Sequence, residues 1–413
     1  MNFYITSLFV AIPSFMVLVL IEQMYARYKG VVVNNHADMI SSLSSGMTNI
    51  TKDVLKIGIV IISYSWLVDI IAIVQLEKMW LIVLCALIVQ DFTGYWLHRL
   101  NHRVNLLWNR HIIHHSSEEF NLSCALRQSI SQTFKYAAIF MVPAALLGIP
   151  ASIFVILGPI HLFMQFWYHT RLINKMGFLE YFLVTPSHHR VHHAINPQYL
   201  DKNYGQIFII WDKLFGTFQE ELSSVEPVYG TLRPSSTWNP ILINFKHLWQ
   251  LIKDAWHAEK LIDKVKIWFM PTGWRPADVQ IKFPVDKIED PFKQKKYAPF
   301  NSNAKITWSW IQHGFGFFIM FHLLIGIEDR TMILNYLYTA FLLMHIFSFT
   351  TMLDNKSYLI ISEFVKIVLL LFCFIYQGYT WFDLDIFYSG IILGYVTISF
   401  FITYYFHKKS III

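Results

Sequence analysis

The feature that most constrains this chain is a series of apolar stretches, each about as long as a membrane-spanning helix. Crossing roughly 30 Å of hydrocarbon takes about 20 helical residues. Stretches of that kind lie near residues 2–25, 53–76, 79–99, 306–327, 331–352, 357–380 and 385–407. Residues 134–169 are long enough for two further short spans, with a turn between them at 147–150. The sequence therefore predicts an all-α polytopic membrane protein with about nine transmembrane helices.

Composition excludes the soluble globular class and argues against nucleic acid as a partner. Apolar types make up 55% of the 413 residues and charged types only 15%, whereas about a quarter of an ordinary soluble protein is charged. The formal net charge is +6, but no compact basic run of the kind that lines a nucleic-acid groove is present. Basic segments outside the spans suit the anionic surface of a bilayer. We therefore expect the lipid bilayer, and no nucleic acid, as the partner.

The basic residues predict how the chain is oriented. If nine spans begin with the N-terminus outside, segments 26–52, 100–133, 171–304, 353–356 and the C-terminus share one side. That side then holds Arg27, Lys29, Lys52, Arg99, Arg103, Arg110, Arg127, Arg171, Lys175, Lys356, Lys408 and Lys409. The opposite loops keep Lys78 and Arg330. Because cytoplasmic loops carry the excess of Lys and Arg, the basic side is predicted to be cytoplasmic.

Two regions follow from this outline. Residues 1–304 are predicted to form a catalytic membrane domain that includes a cytosolic layer at 171–304, where no run is long enough to span. Residues 305–413 are predicted to form a four-helix transmembrane region, and its lack of a dense polar cluster in the sequence favours a scaffold role. Within the layer, residues 244–267 have apolar types at near-helical spacing with lysines between them. That pattern predicts an amphipathic helix, which either lies on lipid headgroups or packs against the layer.

Half of the 18 histidines are concentrated in two short segments, 98–115 and 188–193. His98 and His102 are four residues apart, so they share one face of the third span. Two H-x-x-H-H repeats follow, and their members, with the histidine that precedes the second repeat, are His111, His114, His115, His188, His189, His192 and His193. All of these segments lie where an apolar span meets the predicted cytosolic side. The pattern predicts a histidine-rich cap at that membrane surface.

Clustered imidazoles indicate a metal centre. Nitrogen ligands favour iron, zinc or copper over the hard ions magnesium and calcium. At four to five ligands for each ion, nine imidazoles predict a dinuclear centre. His169, which forms a Q-x-x-x-H pattern with Gln165, is a tenth candidate ligand, and His161 is a weaker one. A closed structural zinc site is the alternative, although such sites usually include thiolates and Cys124 is the cysteine nearest to these segments.

The order H-x3-H, H-x2-H-H, H-x2-H-H at the ends of hydrophobic helices resembles the fatty acid hydroxylase and sterol desaturase superfamily of membrane di-iron enzymes. Longer strings resemble its alkylglycerol-cleaving branch. They are D-F-x3-W-L-H-R at 91–99, H-H-S-S-E-E-F-N-L-S at 114–123, A-L-R-Q-S at 125–129, Q-F-W-Y-H-T at 165–170, P-S-H-H-R-V-H-H at 186–193, D-K-N-Y-G at 201–205 and I-W-D-K-L-F-G-T-F at 210–218. The resemblance implies that the nine clustered histidines bind two iron ions.

The resemblance also implies an activity. A member of this superfamily binds O2 at the iron pair and inserts one oxygen atom into a C–H bond of a lipid. In the alkylglycerol-cleaving branch, the carbon attacked lies next to an ether oxygen. The product collapses to a fatty aldehyde and a glycerol derivative, and tetrahydrobiopterin is the reductant. The chain has no dinucleotide-binding or P-loop motif and no haem-attachment motif, so we expect an external electron donor.

Four further residues are candidates for the site. Asp91 lies seven residues before His98 and is predicted to accept an N–H from an imidazole ligand on the same helical face. Glu118 follows the second histidine box and is a candidate catalytic carboxylate, with a solvated loop position as the alternative. Tyr204 is close enough to the last box to line a cofactor pocket, with a role in organising the cytosolic cap as the alternative. Arg103 occupies the position where the resemblance implies glutamate, and we expect it to line the reductant pocket and to disfavour a pterin, with contact to lipid phosphate as the alternative.

Other functions remain open from the sequence. A hydroxylase or desaturase of another lipid, such as a fatty acid, a sterol or a carotenoid, would use the same ligands. Zinc is an alternative occupant in isolated protein. A metal transporter would place its ligands near the middle of the bilayer along a path, whereas these histidines gather at one interface. The sequence therefore favours an O2-dependent oxidoreductase with a lipid as substrate.

Overall fold

A computed structural model describes residues 3–412, which form a mostly helical molecule. The helices are α1 (Phe3–Tyr28), α2 (His36–Val54), α3 (Tyr64–Ile71), α4 (Met79–Arg103), α5 (Asn105–Trp108), α6 (Ile112–His115), α7 (Val142–Leu146), α8 (Ala151–Phe166), α9 (Pro186–His193), α10 (Ile210–Leu214), α11 (Pro240–His257), α12 (Leu261–Phe269), α13 (Ala277–Lys282), α14 (Asn303–Gly326), α15 (Met332–Leu353), α16 (Leu359–Tyr376) and α17 (Ile386–Ile412). Short 3-10 helices lie at Cys124–Leu126, Ala137–Met141, Gly177–Tyr181 and Pro291–Lys293. The predicted all-α class is confirmed.

Several helices have the length and composition of membrane spans. Within residues 3–412, five helices qualify: Tyr4–Tyr28, Met79–Arg103, Met332–Leu353, Leu359–Tyr376 and Ile386–Lys409. Helix α14 has 24 residues, and shorter apolar helices cover Ala137–Leu146 and Ala151–Phe166. The chain is an integral multi-pass membrane protein. The count of nine spans and the sides of the two termini stay predictions.

The prediction of one long helix over residues 53–76 is wrong. This segment contains the end of α2, strand β1 (Ile59–Val60) and the eight-residue helix α3. Strand β1 pairs in parallel with β2 (Phe134–Lys135), and farther along both Ile73 and Val74 donate backbone hydrogen bonds to the carbonyl of Leu146. The apolar run is rich in Ile and Val, which favour extended backbone. A second irregular segment supplies the hydrogen-bond partners, so the run does not need a helix to satisfy its backbone.

The C-terminal bundle, defined here as α14–α17, holds the largest hydrophobic cluster together with buried residues of α1 and α2. It also contains a polar cluster that the sequence analysis did not foresee. Glu363 and Lys366 are both fully buried and form an ion pair of 2.8 Å between Oε1 and Nζ. Ser348 donates to the same carboxylate, and Lys366 donates to Ser399 at 3.1 Å. Glu363 and Lys366 are three residues apart on α16, whereas Ser348 lies on α15 and Ser399 on α17, so the packing of three helices completes the cluster.

Residues 244–267 form most of α11 and most of α12. One face of α11, with Ile243, His247 and Leu251, is buried and packs mainly against α2, α5 and α6, and His247 faces the carbonyl of Asn105. On the opposite face Trp249 is 60% exposed and Trp256 is 79% exposed. The first face is therefore packed inside the protein, as one of the two predicted arrangements required, but its main partners lie outside residues 171–304. Contact of the second face with lipid headgroups stays a prediction.

Candidate metal centre

Five histidines from three segments form the first cluster. His98 and His102 lie near the end of α4, and His192 lies near the end of α9. His111 directly precedes α6, and His115 is the last residue of α6. One ring nitrogen of each lies within 4.8 Å of the others. The Nε2 atoms of His98 and His111 are 2.9 Å apart, and those of His115 and His192 are 3.1 Å apart. Such a group can surround one ion.

Four histidines form the second cluster: His114, His169, His189 and His193. Their Nε2 atoms are separated by 3.2 Å between His114 and His169, 2.8 Å between His169 and His189, and 3.0 Å between His189 and His193. His115 of the first cluster stacks on His193 with ring centroids 4.3 Å apart. The two clusters are therefore direct neighbours.

The H-x-x-H-H repeats serve the two clusters in opposite ways. In the first repeat, the residues four apart, His111 and His115, belong to the first cluster, and His114 belongs to the second. In the repeat on α9, the residues four apart, His189 and His193, belong to the second cluster. His192 belongs to the first. Residues four apart share a helical face and an adjacent residue is turned by about 100°, so each repeat can serve two ions.

Backbone carbonyls hold the ligand rings in one tautomer. A carbonyl oxygen accepts and never donates, so each Nδ1 that faces one must carry the proton and leave the Nε2 lone pair free. The pairs are His98 with Tyr204 at 2.8 Å, His192 with Lys202 at 2.9 Å, His169 with Gln165 at 3.0 Å and His114 with Arg127 at 3.3 Å. Four rings are thus fixed with their basic nitrogens toward the clusters.

The loop that carries two of these carbonyls has an unusual backbone. Asp201 and Asn203 have φ angles of 58° and 54°, in the left-handed region that Asp and Asn tolerate better than most residues. The Asn203 side chain donates to the carbonyls of His188 and Gln219 at 3.1 and 2.7 Å. The D-K-N-Y-G string therefore shapes a turn whose carbonyls hold two of the clustered histidines, His98 and His192.

The donor set fits two transition-metal ions. Bare Nε2 lone pairs that face each other at 2.8 to 3.2 Å repel unless a cation lies between them. Ligands about 2.1 Å from a common ion are separated by roughly 3.0 to 3.4 Å along the edges of its coordination shell. In the described chain the buried Nε2 of His102 also has no hydrogen-bond partner. Burial lowers the pKa of His114 to about 3, which keeps that imidazole neutral and able to ligate.

The predicted roles of His169 and His188 are reversed in the structure. His169, the tenth candidate, is a full member of the second cluster. His188 lies outside both clusters, with its Nδ1 3.2 Å from the carbonyl oxygen of Leu183 and its ring against Phe218. Its neighbour His189 points into the second cluster, and the 100° rotation between adjacent helical residues turns His188 away.

Asp91 does not contact either cluster. Its fully buried carboxylate accepts the Nε2–H of His161 at 3.0 Å, so the imidazole that it holds is not one of the clustered ligands. It also accepts hydrogen bonds from the backbone of Ile207 and Phe208 and from the indole of Trp211 at 2.8 to 3.1 Å. Asp91 therefore fastens the segment after the D-K-N-Y-G loop to α4.

Asp212 fixes the other side of that loop. Its carboxylate accepts the backbone N–H groups of Tyr204 and Gly205, both at 2.7 Å, and the hydroxyl of Thr217 at 2.6 Å. Burial raises the pKa of Asp212 to about 6. Because the carbonyl of Tyr204 holds His98, Asp212 positions a candidate metal ligand through the backbone.

The remaining predicted residues lie at different distances from the clusters. Tyr204 is buried, and its ring centroid is 5.3 Å from that of His102. Arg103 is 54% exposed and pairs with Asp201 at 2.9 Å. Glu118 accepts the backbone N–H of Tyr297 at 2.6 Å and contacts neither cluster. Tyr204 is thus beside the candidate ions, Arg103 lies at the rim, and Glu118 ties two loops together.

Similarity to known proteins agrees with this geometry. The fatty acid hydroxylase family model matches residues 83–217. The alkylglycerol monooxygenase of Danio rerio is 34% identical over 378 residues, which cover 87% of this chain and 80% of the relative. That of Homo sapiens is 37% identical over 297 residues, covering 71% and 65%, and that of Xenopus tropicalis is 33% identical over 361 residues, covering 86% and 78%. The chain belongs to the fatty acid hydroxylase family, among the alkylglycerol monooxygenases. No solved structure is significantly similar to it.

The part of this fatty acid hydroxylase that matches the family model contains all nine clustered histidines, but an important support lies outside it. Asp38 on α2 forms a fully buried ion pair with Arg127 at 2.6 Å. Arg127 also donates to Ser42 and Ser116, at 2.9 and 2.6 Å, and its carbonyl faces His114. Sequence reasoning missed Asp38. The signal in the sequence was a carboxylate near the start of a helix that is rich in Ser and Thr. It was overlooked because residues 26–52 were predicted only as a segment between two spans.

Two separate cavities border the clusters and share none of their histidines. The layer cavity, of about 340 Å³, is lined by residues that include His102, His115, His192, His193, Trp108, Asp201, Arg233 and Lys287. The span cavity, of about 330 Å³, is lined by residues that include His98, His111, His114, His169, His189, Phe15, Leu97, Leu162 and Phe166. Every clustered histidine thus borders one cavity or the other. In this family member, two different ligands can approach the same paired site.

Proposed function

We propose that this chain is a membrane di-iron, O2-dependent monooxygenase that hydroxylates the carbon next to the ether oxygen of alkylglycerol lipids. The observation that carries the proposal is the pair of adjacent, buried all-histidine clusters at the end of an apolar helix. Nitrogen ligands suit iron. The relatives to which the chain is similar are named alkylglycerol monooxygenases, which is the activity proposed here. The nine histidines of the two clusters, which include His169 and exclude His188, are proposed as the iron ligands.

The proposed reaction balances with one O2, two electrons and two protons. One oxygen atom enters the C–H bond beside the ether oxygen, and the other leaves as water. The hydroxylated carbon then carries two oxygen substituents, and this hemiacetal releases the glycerol derivative as its C–O bond breaks, leaving a fatty aldehyde. When bound, the iron pair would supply activation of O2. The chain itself contributes neutral ligands, a buried site that excludes bulk water, and rings fixed by carbonyls.

The electron donor is proposed to approach from the layer cavity. Asp201 lines this cavity and pairs with Arg103 at its rim. Tetrahydrobiopterin is one candidate donor, with its N–H groups available to a carboxylate. An acidic redox protein that binds Arg103 is the other. The basic loops support a cytoplasmic position for this side of the membrane, with residues 1–304 as the catalytic region and 305–413 as its scaffold.

Product analysis tests the proposal. The full-length protein is purified, its iron and zinc are measured, and it is supplied with a 1-O-alkylglycerol, ¹⁸O₂ and tetrahydrobiopterin or a redox protein. We expect close to two metal ions per chain and O2-dependent formation of the fatty aldehyde, with ¹⁸O detectable in rapidly trapped product. An unsaturated lipid without ¹⁸O would show desaturation instead. Full metal content as zinc with no oxidation of any lipid would support a structural site.

A further inference from the structure

We propose that the span cavity binds the alkyl chain of the lipid substrate. This alkyl chain enters the cavity from the bilayer between α1 and α8, past Phe15. The proposal rests on the proposed function, which supplies a lipid as substrate. It concerns residues that are not metal ligands. Helix α1 also lies outside the segment that the family model matches, which begins at residue 83.

The two cavities differ in the charged residues that line them, and this difference decides which of them can bind an alkyl chain. The layer cavity is lined by Asp201, Arg233 and Lys287. Covering charged groups with a hydrocarbon chain removes them from water without compensation. Among the described residues that line the span cavity, none is Asp, Glu, Lys or Arg. Only the span cavity can therefore enclose an alkyl chain without burying a charge.

The uncharged polar residues of the span cavity suit the other end of such a lipid. Asn101, Gln128, Gln132, Gln165 and Gln206 line it together with the apolar side chains. Amide groups both donate and accept hydrogen bonds, as glycerol hydroxyls do. Five clustered histidines border the same space. A lipid held there would bring its ether region close to the candidate metal ions.

The wall of the span cavity is thin toward the bilayer. Leu162 of α8 lines the cavity and is also 54% exposed on the outside of the protein. Its neighbour Phe163 is 48% exposed, and Val17 on α1 is 53% exposed. In a membrane protein such apolar surfaces face lipid tails. One layer of side chains thus separates the cavity from the hydrocarbon.

Phe15 closes this wall between the two helices. Its ring centroid lies 4.5 Å from that of Phe166 and 5.8 Å from that of Phe163. Helix α1 contains Pro13 two residues before Phe15, and α8 contains Pro159. A proline inside a helix removes one backbone hydrogen bond and permits a kink. Both helices thus lack a backbone hydrogen bond near the aromatic contact. Phe15 is therefore placed to move aside when a lipid alkyl chain enters.

Photo-crosslinking of the wild-type protein tests the location without relying on turnover. The full-length protein in lipid vesicles is irradiated with a 1-O-hexadecylglycerol that carries a diazirine in its alkyl chain, and labelled peptides are identified by mass spectrometry. We expect labels on α1, α4 and α8 near Phe15, Leu97 and Leu162, reduced by excess unmodified alkylglycerol. Competable labels at Trp108 or Leu200 in the layer cavity would overturn the proposal.

A bulky substitution tests the entrance. Phe15→Trp is expected to raise KM for hexadecylglycerol about tenfold, the scale of one misfitted group in an apolar pocket, with kcat within about twofold. The matched control is Phe9→Trp on the same helix, because Phe9 packs against Phe321 and does not line the cavity. Equal effects of the two variants would overturn the role of Phe15. Competable labelling of the span cavity without any O2-dependent product would support the lipid site and contradict the proposed function.

Discussion

The metal centre and the C-terminal bundle both bury many polar side chains, but the partners of those side chains differ. In the bundle, an ion pair joins Glu363 Oε1 to Lys366, and Lys366 donates a hydrogen bond to Ser399, while the buried Oε2 of Glu363 has no hydrogen-bond partner among the described residues. In the metal centre, basic ring nitrogens such as those of His98 and His111 face each other at 2.9 Å. A buried polar group needs a partner. In the bundle the charge of Glu363 meets an opposite charge from the chain itself, whereas the two histidine clusters have no opposite charge among their members and could hold metal ions instead.

The largest expected effect tests the assignment of ligands within α9. His189→Ala removes a member of the second cluster and should lower the metal content below two ions per chain and abolish turnover. His188→Ala, the adjacent control, should keep both, since His188 lies outside the clusters. Elemental analysis and lipid product measurements on the two purified variants check this. Equal metal loss in both would show that His188 also binds an ion.

The next effect concerns the buried ion pair that supports His114. Asp38→Asn leaves the guanidinium of Arg127 without its carboxylate, and loss of one member of a buried pair costs about 3 to 5 kcal/mol. We also expect metal affinity to fall by about ten to a hundredfold, the usual cost of losing a group that orients ligands. Denaturation and metal titration would measure both.

A surface pair provides the control for that variant. Glu259 and Lys282 form an ion pair whose members are 63% and 58% exposed. Glu259→Gln should therefore leave stability and metal affinity nearly unchanged. If Asp38→Asn behaves like Glu259→Gln, the interaction between α2 and Arg127 does not support the metal site.

In the C-terminal bundle we expect a loss of stability without a loss of metal. Glu363→Gln leaves Lys366 buried without its carboxylate and should destabilise the fold by about 3 to 5 kcal/mol. Replacing both residues with Met should restore most of that stability, because neither charge then remains. Thermal unfolding in detergent and metal analysis check the two variants. Metal loss in the double Met variant at full stability would contradict the separation of the two regions.

The smallest expected effect is at the rim. Arg103 and Asp201 are 54% and 41% exposed, so Arg103→Glu should change folding free energy by no more than about 1 kcal/mol and leave the metal content unchanged. We expect it to alter KM for the electron donor, because a second carboxylate would then face Asp201. Lys293→Glu, at a residue 84% exposed, is the control. Efficient turnover of the wild type with tetrahydrobiopterin would show that Arg103 is compatible with a pterin.

The sequence alone was sufficient for the features that depend on local order. Apolar length predicted the membrane spans α1, α4, α15, α16 and α17, because a helix must satisfy its own backbone in hydrocarbon. Apolar length gave a wrong prediction at 53–76. This segment is not one helix, because a neighbouring segment supplies hydrogen-bond partners for its backbone. Histidine spacing predicted that imidazoles gather, because residues four apart share a helical face, and two clusters of histidines are found. The binding of two ions there stays a prediction.

Tertiary structure decided which side chains meet. It brought His169 into the second cluster, turned His188 away, and gave Asp91 to His161 instead of to a clustered ligand. It also joined Asp38 to Arg127 across 89 residues. Spacing along one helix fixes the relative directions of its own side chains, whereas the partner in each direction depends on how separate helices pack. For that reason the sequence specified the type and approximate number of candidate ligands, and the fold decided which histidines form the two clusters.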